Sequence, residues 1–241
     1  MSIKNELISA AKAEWERFGK DEGKKDKYVT MAGKTTTDKI KGRKKEEVEP
    51  YASRVGDYWL AIPSALYDKL VKTYAKKLGK LDGTIDIAWS AAFVSYCMQK
   101  AGAGTSFPYS SGHATWMILA IKNRKANKLK AALVGYKPGE IPLAVGDLIA
   151  KPREKGITYD NAPAKGWFIS HSDIVVEVDT KKKVAHVIGG NVAQSVSKVT
   201  VSITSDGKLD DDGGWMVHIQ NNIGAGTAVP GAAPKTPPPV G

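Results

Sequence analysis

The chain has 241 residues, of which 42% are hydrophobic and 25% are charged, and its formal net charge is +11. This length supports one well-filled core, and no apolar run reaches the roughly 20 residues that a membrane-spanning helix needs. The single cysteine, Cys97, excludes an internal disulfide and a cysteine-rich metal site, and the four histidines lack a metal-binding spacing. We therefore expect no metal and no other cofactor.

Apolar residues at helical spacing dominate the first half of the chain. A first amphipathic helix covers Leu7 to Phe18 and ends near Gly19. Residues 20–50 are rich in Lys, Asp, Glu, Thr and Gly, which predicts a mobile loop or a poorly packed basic insertion. Further helices are predicted at Tyr51 to Leu60, at Ala65 to Leu78, from Ala88 to a stop at Gly102, and from about His113 to Lys130.

The pattern changes to strands from Gly146 onwards. Short apolar, β-branched runs separated by turn residues predict strands, and these runs are Leu148 to Ala150, Phe168 to Val178, Lys183 to Ile188, Val196 to Ile203 and Trp215 to Ile219. Helices followed by an antiparallel sheet favour an α+β fold. The domain is expected to cover residues 1–223, and the Pro/Gly/Ala-rich residues 224–241 to form a disordered tail.

The start of the chain lacks the charged and apolar segments of a standard secretory signal, so we expect synthesis in the cytoplasm without one. The positive charge would attract nucleic acid, an anionic membrane surface or an anionic cell wall, although the charge alone favours the simpler explanation of a basic solvated surface. Nucleic acid is disfavoured as a partner because the lysines are scattered and no reader motif is present.

Ser90 lies at the predicted start of a helix, where free backbone N–H groups and the helix dipole favour negative charge. A nucleophile there gains a stabilised anion and adjacent amides for an oxyanion. The simpler alternative is that Ser90 is an ordinary helix N-cap.

His171 opens a predicted strand and is a candidate general base. Asn191 follows Gly189 and Gly190 after the next strand, where an amide can orient the imidazole, or serve only as a turn residue. Trp89, Tyr109 and His113 are candidates for lining the substrate cleft. The alternative for the two aromatic residues is burial in the core, and for His113 it is a solvent-exposed position at a helix start.

The order of these residues resembles that of the papain-like hydrolases. The segment Trp89 to Ser95 resembles the CHAP and NlpC-type cell-wall amidohydrolase motif with Ser90 in place of cysteine, Gly146 to Ile149 resembles their Gly-Asp strand, and Ser170 to Val175 resembles their histidine strand. The segments Glu14 to Gly19, Phe107 to Ser110 and Ile188 to Val192 are similar to a related bacterial family of unassigned function. This resemblance implies a papain-like core and a Ser90–His171–Asn191 arrangement.

The resemblance implies a hydrolase, either an amidase or an endopeptidase, that cleaves amide bonds in bacterial peptidoglycan. Without a standard signal, such a protein would be an antibacterial effector or a phage lysis protein that acts in the periplasm or cell wall. Its partners would be the peptidoglycan peptide and, for an effector, an immunity protein or a secretion-machine component. The alternative is an inactive papain-like module that binds cell-wall peptides, because serine cannot form the thiolate that cysteine forms near neutral pH.

Overall fold

The computed structural model describes residues 2–29, 35–36, 42–210 and 213–224, so the predicted tail from residue 225 lies outside the described part. The helices are α1 (Ile3–Arg17), α2 (Tyr51–Trp59), α3 (Ser64–Tyr74), α4 (Ser90–Lys100), α5 (Ala114–Lys125) and α6 (Ala162–Lys165). The strands are β1 (Tyr28–Val29), β2 (Thr35–Thr36), β3 (Arg43–Lys44), β4 (Leu133–Tyr136), β5 (Leu148–Pro152), β6 (Ser170–Asp179), β7 (Val184–Gly189), β8 (Ser197–Ser202) and β9 (Val217–Asn221). No helix among these residues is long and apolar enough to cross a bilayer.

The larger sheet has six strands in the order β4-β9-β5-β6-β7-β8, and every pairing in it is antiparallel. The predicted α+β class is therefore confirmed. The strand β4 was missed because Gly135 interrupts its short apolar run. A Cβ at Gly135 would come within 2.9 Å of the backbone nitrogen of Ile121, so glycine lets α5 pack closely on this strand.

Helix α4 runs through the core between α1, α2 and the sheet, and every residue from Ser90 to Met98 is buried. Cys97 lies on this helix as predicted, and burial raises the pKa of its thiol well above the usual value. The thiol therefore stays protonated, which makes it a core side chain and not a nucleophile.

The described parts of residues 20–50 differ from the predicted poorly packed insertion. Lys45 is buried and its ammonium lies 2.7 Å from Asp21 Oδ2, while Glu46 accepts a hydrogen bond from Trp89 Nε1 at 2.8 Å. Buried charges are retained when they are paired or hydrogen-bonded, and these contacts attach the segment to the core. Residues 30–34 and 37–41 lie outside the described residues.

The buried carboxylate of Asp147, the residue before β5, bonds to groups of α1 and β9. Asp147 accepts hydrogen bonds from Lys4 Nζ at 2.8 Å and from the Asn221 backbone N–H at 3.1 Å, and its Oδ2 lies 2.8 Å from His218 Nε2. Burial alone would raise the pKa of Asp147, but the His218 hydrogen bond and the Lys4 charge outweigh it and lower the pKa. The carboxylate thus connects α1 to the middle of the sheet.

Candidate active site

Ser90 is the first residue of α4, and its hydroxyl does not cap the helix. The capping position belongs to Trp89, and no side-chain hydrogen bond caps this end. Instead, Ser90 Oγ lies 2.7 Å from Nε2 of His113, the residue that precedes α5. The helix-cap interpretation of Ser90 is therefore wrong.

A continuous hydrogen-bonded chain runs from Ser90 through His113 to the sheet. His113 Nδ1 lies 2.7 Å from Ser172 Oγ on β6, and Ser172 Oγ also accepts the indole N–H of Trp116 at 3.1 Å. The exposed fraction is 7% for Ser90, 2% for His113 and 0% for Ser172. With both ring nitrogens engaged in buried contacts, the imidazole is held in one orientation.

The surroundings keep His113 neutral. Burial, the neighbouring His171 and the positive charge of Arg153 lower its pKa well below 6.5. A neutral imidazole has one donor and one acceptor nitrogen. In the tautomer whose Nδ1–H donates to Ser172, Nε2 is free to accept the Ser90 proton, which is the state that a general base requires.

The first turn of α4 also provides backbone donors beside Ser90. The first hydrogen bond of the helix runs from the Phe93 N–H to the Trp89 carbonyl at 3.0 Å. Helix geometry leaves the N–H groups of Ser90, Ala91 and Ala92 without an intrahelical acceptor. Such donors at a helix N-terminus can stabilise a developing oxyanion.

The Ser90–His113 pair lies at one side of an open cleft of about 400 Å³, which we call the Ser90 cleft. Tyr74, Trp167 and Ile169 form an exposed apolar wall, and Trp167 keeps 64% of its surface exposed. A wall of large exposed apolar side chains beside a polar pair is typical of a ligand-binding surface.

His171 lies beside this pair but is not bonded to Ser90. Successive β6 side chains point to opposite faces, and Ser172 takes the face towards α5. His171 Nε2 instead lies 2.8 Å from Asp173 Oδ1, and the His171 and His113 ring centroids are 5.4 Å apart. The structure thus places His113, and not the predicted His171, against the Ser90 hydroxyl.

Asn191 and His171 line a second cavity, of about 310 Å³, which we call the His171 cavity. No hydrogen bond joins them in the described part of the chain, and Asp173 occupies the orienting position that was predicted for Asn191. Gly190 lets the backbone pass close to Phe93, because a Cβ at position 190 would lie 2.4 Å from Phe93 Cβ. The left-handed backbone conformation, with a φ of 51°, is that of Asn191 itself.

Of the three predicted cleft residues, only His113 lines the Ser90 cleft. Trp89 is 1% exposed and packs in the core, with its ring centroid 5.6 Å from that of Tyr58. Tyr109 packs edge-on against Phe107 with 5.3 Å between ring centroids. Burial of a large aromatic ring explains the position of Trp89, whereas Tyr109 is half-buried beside Phe107.

The family described as "Uncharacterized protein conserved in bacteria (DUF2272)" matches residues 15–223. The chain belongs to this family. The match includes all the residues of the Ser90–His113–Ser172 chain, and the family's description assigns no activity. No curated protein and no solved structure matches this DUF2272 chain.

Sequence reasoning missed Ser172, Trp116 and Asp173 in this DUF2272 member. The alternation along β6 was the available signal, because His171 and Ser172 cannot both face the helices.

Within the described residues, no group of histidine, cysteine, aspartate and glutamate side chains is placed to hold a metal ion.

Proposed function

We propose that the chain is a hydrolase that cleaves amide bonds in bacterial peptidoglycan, with Ser90 as nucleophile and His113 as general base. The observation that carries this proposal is the 2.7 Å contact between Ser90 Oγ and His113 Nε2 beside an open cleft. A serine is a weak nucleophile unless an adjacent base accepts its proton, and a contact of this length meets that need.

The chemistry follows from this pair. Ser90 Oγ attacks the scissile carbonyl while its proton passes to His113 Nε2, and the free N–H groups of the first α4 turn bind the oxyanion. The protonated His113 then donates the proton to the leaving amine. A water molecule then attacks the resulting ester while His113 accepts its proton. The protonated His113 finally returns this proton to Ser90 Oγ as the acid product leaves. Ser172 and Trp116 do not touch the substrate in this scheme, and they orient the base.

The proposed core is papain-like. It differs from the resembled hydrolases in the element that supplies the general base. A nucleophile at the start of a helix that packs against an antiparallel strand is consistent with that arrangement, and α4 contacts β6 in this way. Here the base comes from the residue before α5, while the strand contributes the orienting Ser172. The assignment to cell-wall chemistry is supported by the motifs around Ser90 and His171, which resemble those of cell-wall amidohydrolases.

Two further properties are consistent with a peptidoglycan substrate. The net charge of +11 favours binding to an anionic wall, and the exposed wall formed by Tyr74, Trp167 and Ile169 suits an extended peptide. We propose that the protein is an antibacterial effector or a phage lysis protein acting in the periplasm or cell wall. An effector of this kind would need an immunity protein in the producing cell.

The test is digestion of purified peptidoglycan by wild type, Ser90→Ala and Ser205→Ala, with the products identified by mass spectrometry. Ser205 is exposed on a distant turn and is the matched control. We expect new amine and carboxylate ends with wild type and Ser205→Ala, and none with Ser90→Ala. Equal digestion by Ser90→Ala would contradict the proposal.

A binding module is the second candidate, and the exposed side chains of Trp167 and Ile169 favour it because they would hold a peptide whether or not Ser90 reacts. Peptidoglycan that is retained by wild type but never cleaved would favour this candidate. A Trp167→Ala variant should then lose retention, while Leu129→Ala, another exposed apolar residue outside the cleft, should keep it.

A further inference from the structure

The His171 cavity has a chemistry that the Ser90 reaction does not use. Lys151 and His171 are cross-strand partners on β5 and β6, so their side chains share one face of the sheet. Ser172, which bonds His113, takes the opposite face. The His171 cavity is therefore a separate recess, although its His171 ring contacts the ring of the proposed base.

Three cationic side chains line this cavity, namely Lys24, Lys151 and Arg153, together with the carboxylates Asp26 and Asp173. Among the described residues, neither Lys151 nor Arg153 has a carboxylate within ion-pair distance. Lys151 instead lies over the Trp215 ring, 4.5 Å from its centroid. Burial lowers the pKa of Lys151, the charges of Lys24 and Arg153 lower it further, and the carboxylate of Asp173 opposes them, so the lowering shows that the cations repel one another in this cavity.

His171 contributes to the lining of this cavity and has one unsatisfied ring nitrogen. His171 is 3% exposed, and its Nε2 is paired with Asp173 at 2.8 Å. Its Nδ1 is buried and has no hydrogen-bond partner in the described part of the chain. Buried polar atoms are rarely left unpaired, but this nitrogen has almost no surface open to the cavity, so the ring lines the cavity without a direct contact from this atom.

We propose that the His171 cavity binds a compact oxyanion, a phosphate or carboxylate group, through Lys151 and Arg153. An oxyanion would relieve the repulsion among the cations that line this cavity. Arg153 presents a planar fork that suits two oxygens of one anion, and Lys151 adds a point charge from the neighbouring β5 position.

An occupied cavity also affects the Ser90 site. The positive charge of Arg153 lowers the pKa of His113, and a bound anion would offset that charge and raise it. The cavity would thus adjust the proton affinity of the proposed base without touching the substrate. The binding itself does not depend on whether the chain is a hydrolase.

Calorimetric titration of the purified full-length protein with sodium phosphate, and separately with sodium acetate, tests the proposal at constant ionic strength set with sodium chloride. We expect saturable binding at one site. A phosphate-only signal identifies a phosphoryl ligand, and binding of acetate as well identifies a carboxylate-compatible site.

The variants Lys151→Met and Arg153→Gln should each weaken binding at least tenfold, whereas Lys155→Gln, an exposed cation outside the cavity, should bind like wild type. Lys151→Met keeps the apolar stem, and circular dichroism checks its folding. The ring resonances of His171 should shift on saturation in the wild type, with His186 as the unaffected reference. Absence of saturation with both anions, or equal binding by the Arg153→Gln variant, would overturn the proposal.

Discussion

Ser172 Oγ and Ser90 Oγ lie on opposite sides of the same imidazole, each 2.7 Å from one nitrogen of His113. Ser172 is thus placed to orient the proposed base, as the acid of a catalytic triad does. Because Ser172 is neutral, we expect a contribution of about 1 to 1.5 kcal/mol, typical of one hydrogen bond, and so a loss of roughly tenfold in kcat for Ser172→Ala.

The value of KM should stay unchanged in Ser172→Ala, since Ser172 does not reach the substrate. Ser172→Thr, which keeps the hydroxyl, should recover most of the rate, and Ser202→Ala on the exposed face of β8 is the control. If KM rises while kcat holds, Ser172 is not a positioning residue. Steady-state kinetics on a soluble peptidoglycan fragment measures both values.

The two neighbouring histidines should differ in their effect on activity. His113→Gln removes the proposed base and should lower kcat by about 10² to 10⁴, the usual contribution of general base catalysis. His171→Gln should retain a substantial part of the rate, because His171 is bonded to Asp173 and not to Ser90. His186→Gln, on the surface of β7, controls for general effects. The reverse ranking would return the role of base to His171.

The pH dependence of the rate should reflect the lowered pKa of His113. A base with a pKa well below 6.5 remains neutral at mildly acidic pH, so kcat/KM should fall only well below pH 6.5. Arg153→Gln removes one of the charges that lower this pKa, and the acidic limb should move to higher pH. A pH–rate profile in which Arg153→Gln matches wild type would exclude this electrostatic coupling.

Asp147 should govern stability in acid. Its pKa is lowered in the folded state, so its contribution is fully present above the unfolded value near 4 and is lost as the pH falls through the folded value. Asp147→Asn should cost about 3 kcal/mol of unfolding free energy near pH 6, as expected for a broken buried pair. Denaturant unfolding should show this difference shrinking towards pH 2. A difference that is independent of pH would argue against the ionised state.

Much of the fold was accessible from periodicity alone. Helices α1, α2 and α4 and strands β5 to β8 lie near their predicted positions, because helical patterns ended by glycine and apolar, β-branched runs bounded by turn residues are visible in the sequence. Strand β4 was missed because its four residues include Gly135, and the packing of Lys45 and Glu46 was missed because charged residues usually predict exposure.

The candidate site was accessible only in part. Helix-start chemistry singled out Ser90, but the choice between His113 and His171 depends on which β6 side chain faces α5. That choice is made by tertiary packing, since Trp116 and His113 both bond to Ser172. Chain order placed His171 close to the site, and only the three-dimensional contacts place His113 against the hydroxyl.

Covalent labelling of Ser90 tests the central claim most directly. A fluorophosphonate reacts with a serine whose hydroxyl is activated by a base, and intact mass followed by peptide mapping locates the adduct. The account predicts one adduct on Ser90 in wild type, none in Ser90→Ala, and strongly slowed labelling in His113→Gln but not in His171→Gln. An unmodified Ser90 in folded wild-type protein, or labelling at the wild-type rate in His113→Gln, would contradict the claim that His113 activates Ser90.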